Sequence, residues 1–273
     1  MLAHKKFYFF IIAAVFSAAI FLLGENPLVV SYVNGKVDLI NIHKKGTDAL
    51  DDLEVNASIL SHNVITTGKG SRTEIIQDSN IWRLGSQSVC RWFSSTDFWL
   101  HSGSALFCTK EPTKINFSSF DSNATFEGKG TIIIEATKNG GFKFIPVEAD
   151  GRISTVAGGD HETLGGRMLL VIGNPTYFGN AFDIDLMLLL KSSRLINAYP
   201  SILPSFDQIG LSVYVQELKM KGKYDALIGD ATTNENLQMW KFGPKPDGRK
   251  SKRENSPSVS PKRSFLRRIL GSK

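Results

Sequence analysis

Histidine and cysteine are scarce in this 273-residue chain, which holds five of the first and two of the second. His4, His43, His62, His101 and His161 are scattered, and two cysteines without clustered histidines do not make a zinc site. His161 sits beside an acid, Glu162, but lacks the second histidine at helical spacing that a zincin needs. No Gly-x-Ser-x-Gly elbow occurs, so an α/β-hydrolase is unsupported. Gly68-Lys69-Gly70-Ser71 lacks the upstream glycine of a phosphate loop and lies between strand patterns, with no helix N-terminus to receive phosphate. It reads as a tight β-turn. Repeats of fixed period are absent as well. These gaps lead to the expectation of a non-enzymatic protein without cofactor or metal.

Net positive charge is also missing from most of the chain, despite a formal +6. Lys245–Lys273 holds ten Lys/Arg and two acids, or +8, which leaves Asn26–Pro244 at −3. Nucleic-acid and anionic-surface arguments therefore apply to the tail alone. Gly243–Lys273 is rich in Pro, Ser, Lys and Arg and too poor in apolar residues to form a core, so it reads as a disordered basic tail. Its cations Arg249, Lys250, Lys252, Arg253, Lys262, Arg263, Arg267 and Arg268 would meet anionic lipid or wall polymer rather than nucleic acid. Phe265–Leu270 adds a short basic amphipathic stretch.

One long apolar run exists, Phe7–Leu23, with Lys5 and Lys6 before it and Gly24-Glu25-Asn26-Pro27 after it. Its length lies at the lower edge of what spans a bilayer, and the flanking lysines keep the N-terminus inside. The expectation is a single-pass anchor in the inner membrane with the bulk in the periplasm. Ser17-Ala18-Ala19 keeps a cleaved signal open, which would give a secreted protein. With no cysteine near the end of the run, a lipoprotein anchor is excluded. Outside the cytoplasm two cysteines most often pair, so Cys90 and Cys108 are disulfide candidates; two separate buried thiols are the alternative.

After the anchor, short alternating runs bounded by Gly, Ser, Asn and Asp continue to about residue 156, the pattern of a sandwich, roll or short solenoid of about ten strands. Leu28–Val33 and Lys36–Ile40 flank Asn34-Gly35 and read as a hairpin. The character changes near Gly165-Gly166. Asn180 is placed to cap a helix over Ile184–Ile196, with Asp183 in its first turn, and Leu211–Met220 reads as a weaker helix or strand. Asp183 and Asp185, two apart on that expected helix, point to different faces and make poor paired carboxylates. The resulting divisions are an anchor or signal over 1–26, a β domain over 27–165, a smaller α/β region over 166–242 and the tail over 243–273. Trp82, Trp92, Phe93, Phe98 and Trp99 either pack the β core or form a carbohydrate-stacking face.

Several segments resemble the FecR-type domain, the extracytoplasmic β module of iron-dicitrate-sensor-like regulators. They are Val33–Val37, Asn63–Gly68, Gly70–Ser79 and Leu100–Phe107, with Ser79 standing where the family usually has glycine. The resemblance covers under half the chain, from Val33 to about Arg152. It implies an envelope-anchored β domain that binds or scaffolds another envelope component in a signalling role. In such regulators a cytoplasmic segment binds a sigma factor. Met1–Lys6 is too short for an interface that needs about 20–30 residues a side, so direct anti-sigma activity is not expected. The readings left beside this one are a glycan- or cell-wall-associating module and a lipid-carrying β module. The partner, protein or glycan, is unknown.

Overall fold

The computed structural model describes residues 27–230 and 237–242. The expected anchor, Phe7 to Leu23, and the basic tail lie outside the described residues. Among the described residues no helix is long and apolar enough to cross a membrane.

The strands in chain order are β1 (Leu28–Asn34), β2 (Val37–Asn41), β3 (Leu50–Asp52), β4 (Ser58–Ile59), β5 (Asn63–Thr67) and β6 (Arg72–Gln77). Next come β7 (Asn80–Leu84), β8 (Val89–Ser94), β9 (Asp97–Ser102), β10 (Ser104–Ser118), β11 (Asn123–Ala136) and β12 (Phe142–Thr155). Then follow β13 (Gly159–Glu162), β14 (Arg167–Ile172), β15 (Tyr177–Phe178) and β16 (Phe182–Asp183). Three helices, α1 (Leu186–Ser192), α2 (Arg194–Asn197) and α3 (Phe206–Met220), precede the hairpin β17 (Ala226–Asp230) and β18 (Leu237–Lys241). The fold is mainly β, as the turn-bounded alternation requires.

One hydrogen-bonded sheet folds over itself into two facing layers. The front layer runs β4-β1-β6-β7 and on through the first half of β10; the back layer runs β3-β2-β5-β8-β9 and on through the second half of β10. The three long strands β10, β11 and β12 belong to both layers. They bend where β10 shifts register between Thr109 and Thr113 and where Gly130 enters β11 at φ +119. A Cβ on Gly130 would stand 2.3 Å from the Glu148 carbonyl oxygen, so only glycine lets the backbones close at the bend.

Asn34-Gly35 corrects an expectation. It does not close a hairpin, because β1 pairs with β4 and β6 whereas β2 pairs with β3 and β5. The left-handed Gly35, at φ +76, turns a corner instead, and residues 68–71 turn beside it. The Gly68 amide donates to the Lys36 carbonyl at 2.9 Å, so two neighbouring strands pass from layer to layer together.

Between the layers lies an aromatic core. Trp82 is its centre, with Phe98 and Phe107 each 4.5 Å away by ring centroid and Trp92 edge-on at 5.4 Å. A second core covers the outer face of the front layer, where Leu106, Ile133, Ile145 and Val147 meet Leu186, Leu189 and Ile209 of the helices. Period-two alternation produces both cores, since Phe107 faces one and Cys108 the other. That alternation also corrects the disulfide expectation. Cys90 and Cys108 are free and fully buried, one in each core, with the front sheet's own thickness between those cores. They behave as small hydrophobes.

The first helix starts later than its sequence suggests, and the last, from Phe206, starts earlier than the expected Leu211. Asp185, not Asn180, caps α1, its carboxylate accepting from the Leu188 amide at 2.9 Å, while Asp183 lies in β16. Gln216 of α3 ties the pair, donating to the Ile184 carbonyl at 2.7 Å and accepting from the Leu186 amide at 3.0 Å. β14, from the region beyond Gly165-Gly166, hydrogen-bonds directly to β12 and extends the main sheet.

Candidate functional site: the outer face of the back sheet

The front layer is covered by helices, which leaves the outer face of β8, β9 and β10 as the open sheet surface. Along β9, Phe98 and Leu100 point inward, so Asp97, Trp99 and His101 point out. Trp99 packs against His101 at 5.3 Å by ring centroid, and His101 meets Phe120 edge-on at 6.5 Å. Phe120, in the turn after β10, is 71 % exposed. At the other end of the row Phe93 is 51 % exposed, with the Arg91 guanidinium 4.6 Å above its ring. Arg91 is held in that pose by donating from Nε to the Ser61 carbonyl at 2.7 Å.

A polar ladder runs beside the aromatics. Asn116 Nδ2 donates to Asp97 Oδ1 at 2.6 Å, and Thr125 Oγ1 donates to Asn116 Oδ1 at 2.7 Å, crossing β9, β10 and β11. Hydrogen bonds from Ser94 and then Asn116 hold the Asp97 carboxyl below the usual carboxylate range, against a smaller opposing effect of desolvation. These groups line a groove of about 350 Å³ whose wall is Phe93. The face can therefore offer flat apolar surface and directed polar groups together, on rigid strands. Low side-chain entropy makes such aromatics effective contact residues.

The five aromatics named from sequence separate cleanly. Trp82, Trp92 and Phe98 are core; Phe93 and Trp99 face outward. His101, Phe120 and Arg91 complete the row and were not singled out from sequence. The alternation Asp97, Trp99, His101 is legible in the sequence once Phe98 is assigned inward. Phe120 sits in a turn and gives no periodic signal.

Among the described residues no group of three His, Cys, Asp or Glu side chains converges to hold a metal. His43 and His62 do approach to 5.1 Å, without a third ligand.

A second polar cluster is buried in the front layer. Arg83 uses all five N–H groups: Nε donates to Glu74 Oε2 at 2.8 Å, Nη1 to the Leu195 and Ile196 carbonyls at 3.2 and 3.1 Å, and Nη2 to the carbonyl and hydroxyl of Ser201. Ser201 Oγ and Ser31 Oγ donate in turn to the two Glu74 oxygens at 2.6 and 2.9 Å. The Tyr199 ring lies 4.5 Å from the guanidinium, and burial pushes its phenol far above the usual range. This cluster fastens α2 and the segment after it to β6 and β7. With every donor spent, it offers nothing to a ligand.

No protein-family model matches the chain, and no curated protein matches it. Among solved structures it is similar to a candidate anti-sigma factor from Parabacteroides distasonis, seen in crystals at 2.50 and 1.65 Å resolution. The TM-scores are 0.38 and 0.37 at 8 % identity, covering 66 % of this chain and 99 % of the other. A likeness that weak carries no functional argument.

Proposed function

We propose that this chain is an envelope-anchored, non-enzymatic binding module whose FecR-like β domain holds or scaffolds another envelope component, in a signalling role. Phe7–Leu23 anchors it and Gly243–Lys273 adds electrostatic attachment to anionic lipid or wall polymer. The observation that carries the reading is the outward row Trp99, His101 and Phe120. Truncating an aromatic hot spot of this kind typically costs about 2 kcal/mol or more of binding.

The polar ladder beside the row favours one further reading, a glycan ligand. A sugar ring stacks on an aromatic face while its hydroxyls bond neighbouring polar side chains, and Asp97 and Asn116 retain free lone pairs and an N–H for that purpose.

Both are tested by a photo-crosslinking residue placed at Phe120 of the full chain in cells, with Lys223 as control. A discrete adduct at 120 that disappears with Trp99→Ala supports the docking face. A protein band identifies a protein partner, and an adduct digested by wall hydrolases identifies a glycan. Equal labelling at 120 and 223, or none at 120, refutes the assignment.

A further inference from the structure

The two layers have distinct ends. The crossings at residues 34–37, 67–72 and 84–89 share one end. Leu28, the turn at 77–80 and the turn at 94–97 share the other, because Val29 pairs with Ile76 and Gln77 with Asn80. At this second end a groove of about 430 Å³ opens, lined by Pro27, Leu28, Leu60, Gln77 and Phe93 among others. Its rim is apolar where solvent would favour polar residues: Leu60 and Phe93 are each 51 % exposed. Ile42 joins them at 44 %, its amide donating to the His62 carbonyl beside the Leu60 turn. Arg91 stands over Phe93, and Lys44 and Lys45 follow Ile42.

Only Gly24, Glu25 and Asn26 separate this groove from the apolar run ending at Leu23. At roughly 3.6 Å per residue the Leu23 to Pro27 link reaches at most about 14 Å. The headgroup layer on each side of a bilayer is itself about 5–8 Å deep. A run embedded up to Leu23 therefore holds the Leu28 end at the lipid surface by tether length alone.

We infer that this end of the β module is a membrane-contact surface, in which Ile42, Leu60 and Phe93 enter the interfacial layer of the bilayer and Arg91, Lys44 and Lys45 meet lipid phosphates. Side chains with an apolar body and a basic rim are the residues that settle at that depth. The inference rests on the anchor reading and adds a second attachment that the anchor does not require. It also gives the aromatic row a direction: Phe93 lies at the lipid and His101 and Phe120 lie toward the far end, clear of it.

Site-directed spin labelling of the full chain, reconstituted into phosphatidylcholine/phosphatidylglycerol vesicles, tests this. Cys90 and Cys108 are buried and should stay unlabelled in the native protein. Leu60→Cys is compared with Asn139→Cys, which lies in the exposed turn after β11 at the opposite end. The expected result is a label at 60 that collides with oxygen dissolved in lipid and has lost several-fold of its collisions with an aqueous nickel chelate, while the label at 139 reads as aqueous. Two aqueous labels on protein that stays with the vesicles through a carbonate wash would overturn the contact surface and leave the anchor standing. Release of the protein by the wash would overturn both.

Discussion

Replacing Arg83 by Ala should be among the most damaging single changes in the chain. The substitution leaves Glu74, its side chain only 3 % exposed, without its cation, and strands the Leu195, Ile196 and Ser201 carbonyls. Removing one partner of a buried ion pair costs about 3–5 kcal/mol, since the remaining charge has no solvent to replace it. Water entering the vacated space can rehydrate some carbonyls, so the sum of their separate penalties is an upper bound. At about 4 kcal/mol and about 2–4 °C per kcal/mol for a domain of this size, Tm should fall by about 8–16 °C. Arg83→Lys keeps the charge but gives three donors in place of five, so it should fall between wild type and Ala. Thermal and urea unfolding measure the loss. Limited proteolysis locates it, because residues 193–201 should become the first cleavage site once their fastening is gone. A Tm within 2 °C of wild type, or equal effects of Lys and Ala, would show that the network is ornamental.

Both thiols should resist alkylation in native, non-reduced protein and react together on unfolding, because each is fully buried and burial pushes the Cys90 thiol well up; a disulfide-linked peptide in the mass spectrum would contradict this. Asp97, with a depressed pKa, contributes stability that is present above the ordinary carboxylate pKa and lost as pH falls through its folded value. Asp97→Asn should flatten the acid side of a Tm-against-pH curve, and an unchanged curve would refute the role given to its hydrogen bonds. Gly130→Ala should cost more than the about 1–3 kcal/mol of backbone strain alone, through its clash with the Glu148 carbonyl, as read by the urea midpoint. Truncation after Pro244 should weaken binding to anionic vesicles most at low salt, and salt-independent binding would exclude the tail's electrostatic role.

What the sequence disclosed and what it hid divide along a physical line. Alternation and turn residues are local, so the β class and the inward Trp82, Trp92 and Phe98 positions follow from short-range pattern. Asn34-Gly35 shows the limit: a positive φ is a local property, but whether it closes a hairpin or turns a corner depends on which strand arrives beside it, here β6. Cys90 and Cys108 failed to pair for the same reason, since the face each occupies is set by strand register rather than by compartment. Arg83 and Glu74 look like ordinary solvent-facing charges of a strand until residues 195–201 close over them, more than a hundred positions later. The outward aromatic row lay in between, readable along β9 and invisible at Phe120.

The path of β9 into β10 has a consequence in time. β9 lies parallel to the second half of the strand that follows it, with Asp97 beside Asn116 nineteen positions on. To reach that place the chain must descend the front layer, round the bend and re-enter the back layer, winding once around the Phe107 and Phe117 side chains. Such a closure comes after the local hairpins, because its entropy is lost before its contacts repay it. His101 and Phe120 meet only when the winding is complete. A copy of the protein arrested at the hairpin stage would carry every residue of the row and display no row at all, so the row itself is a mark that the domain has finished folding.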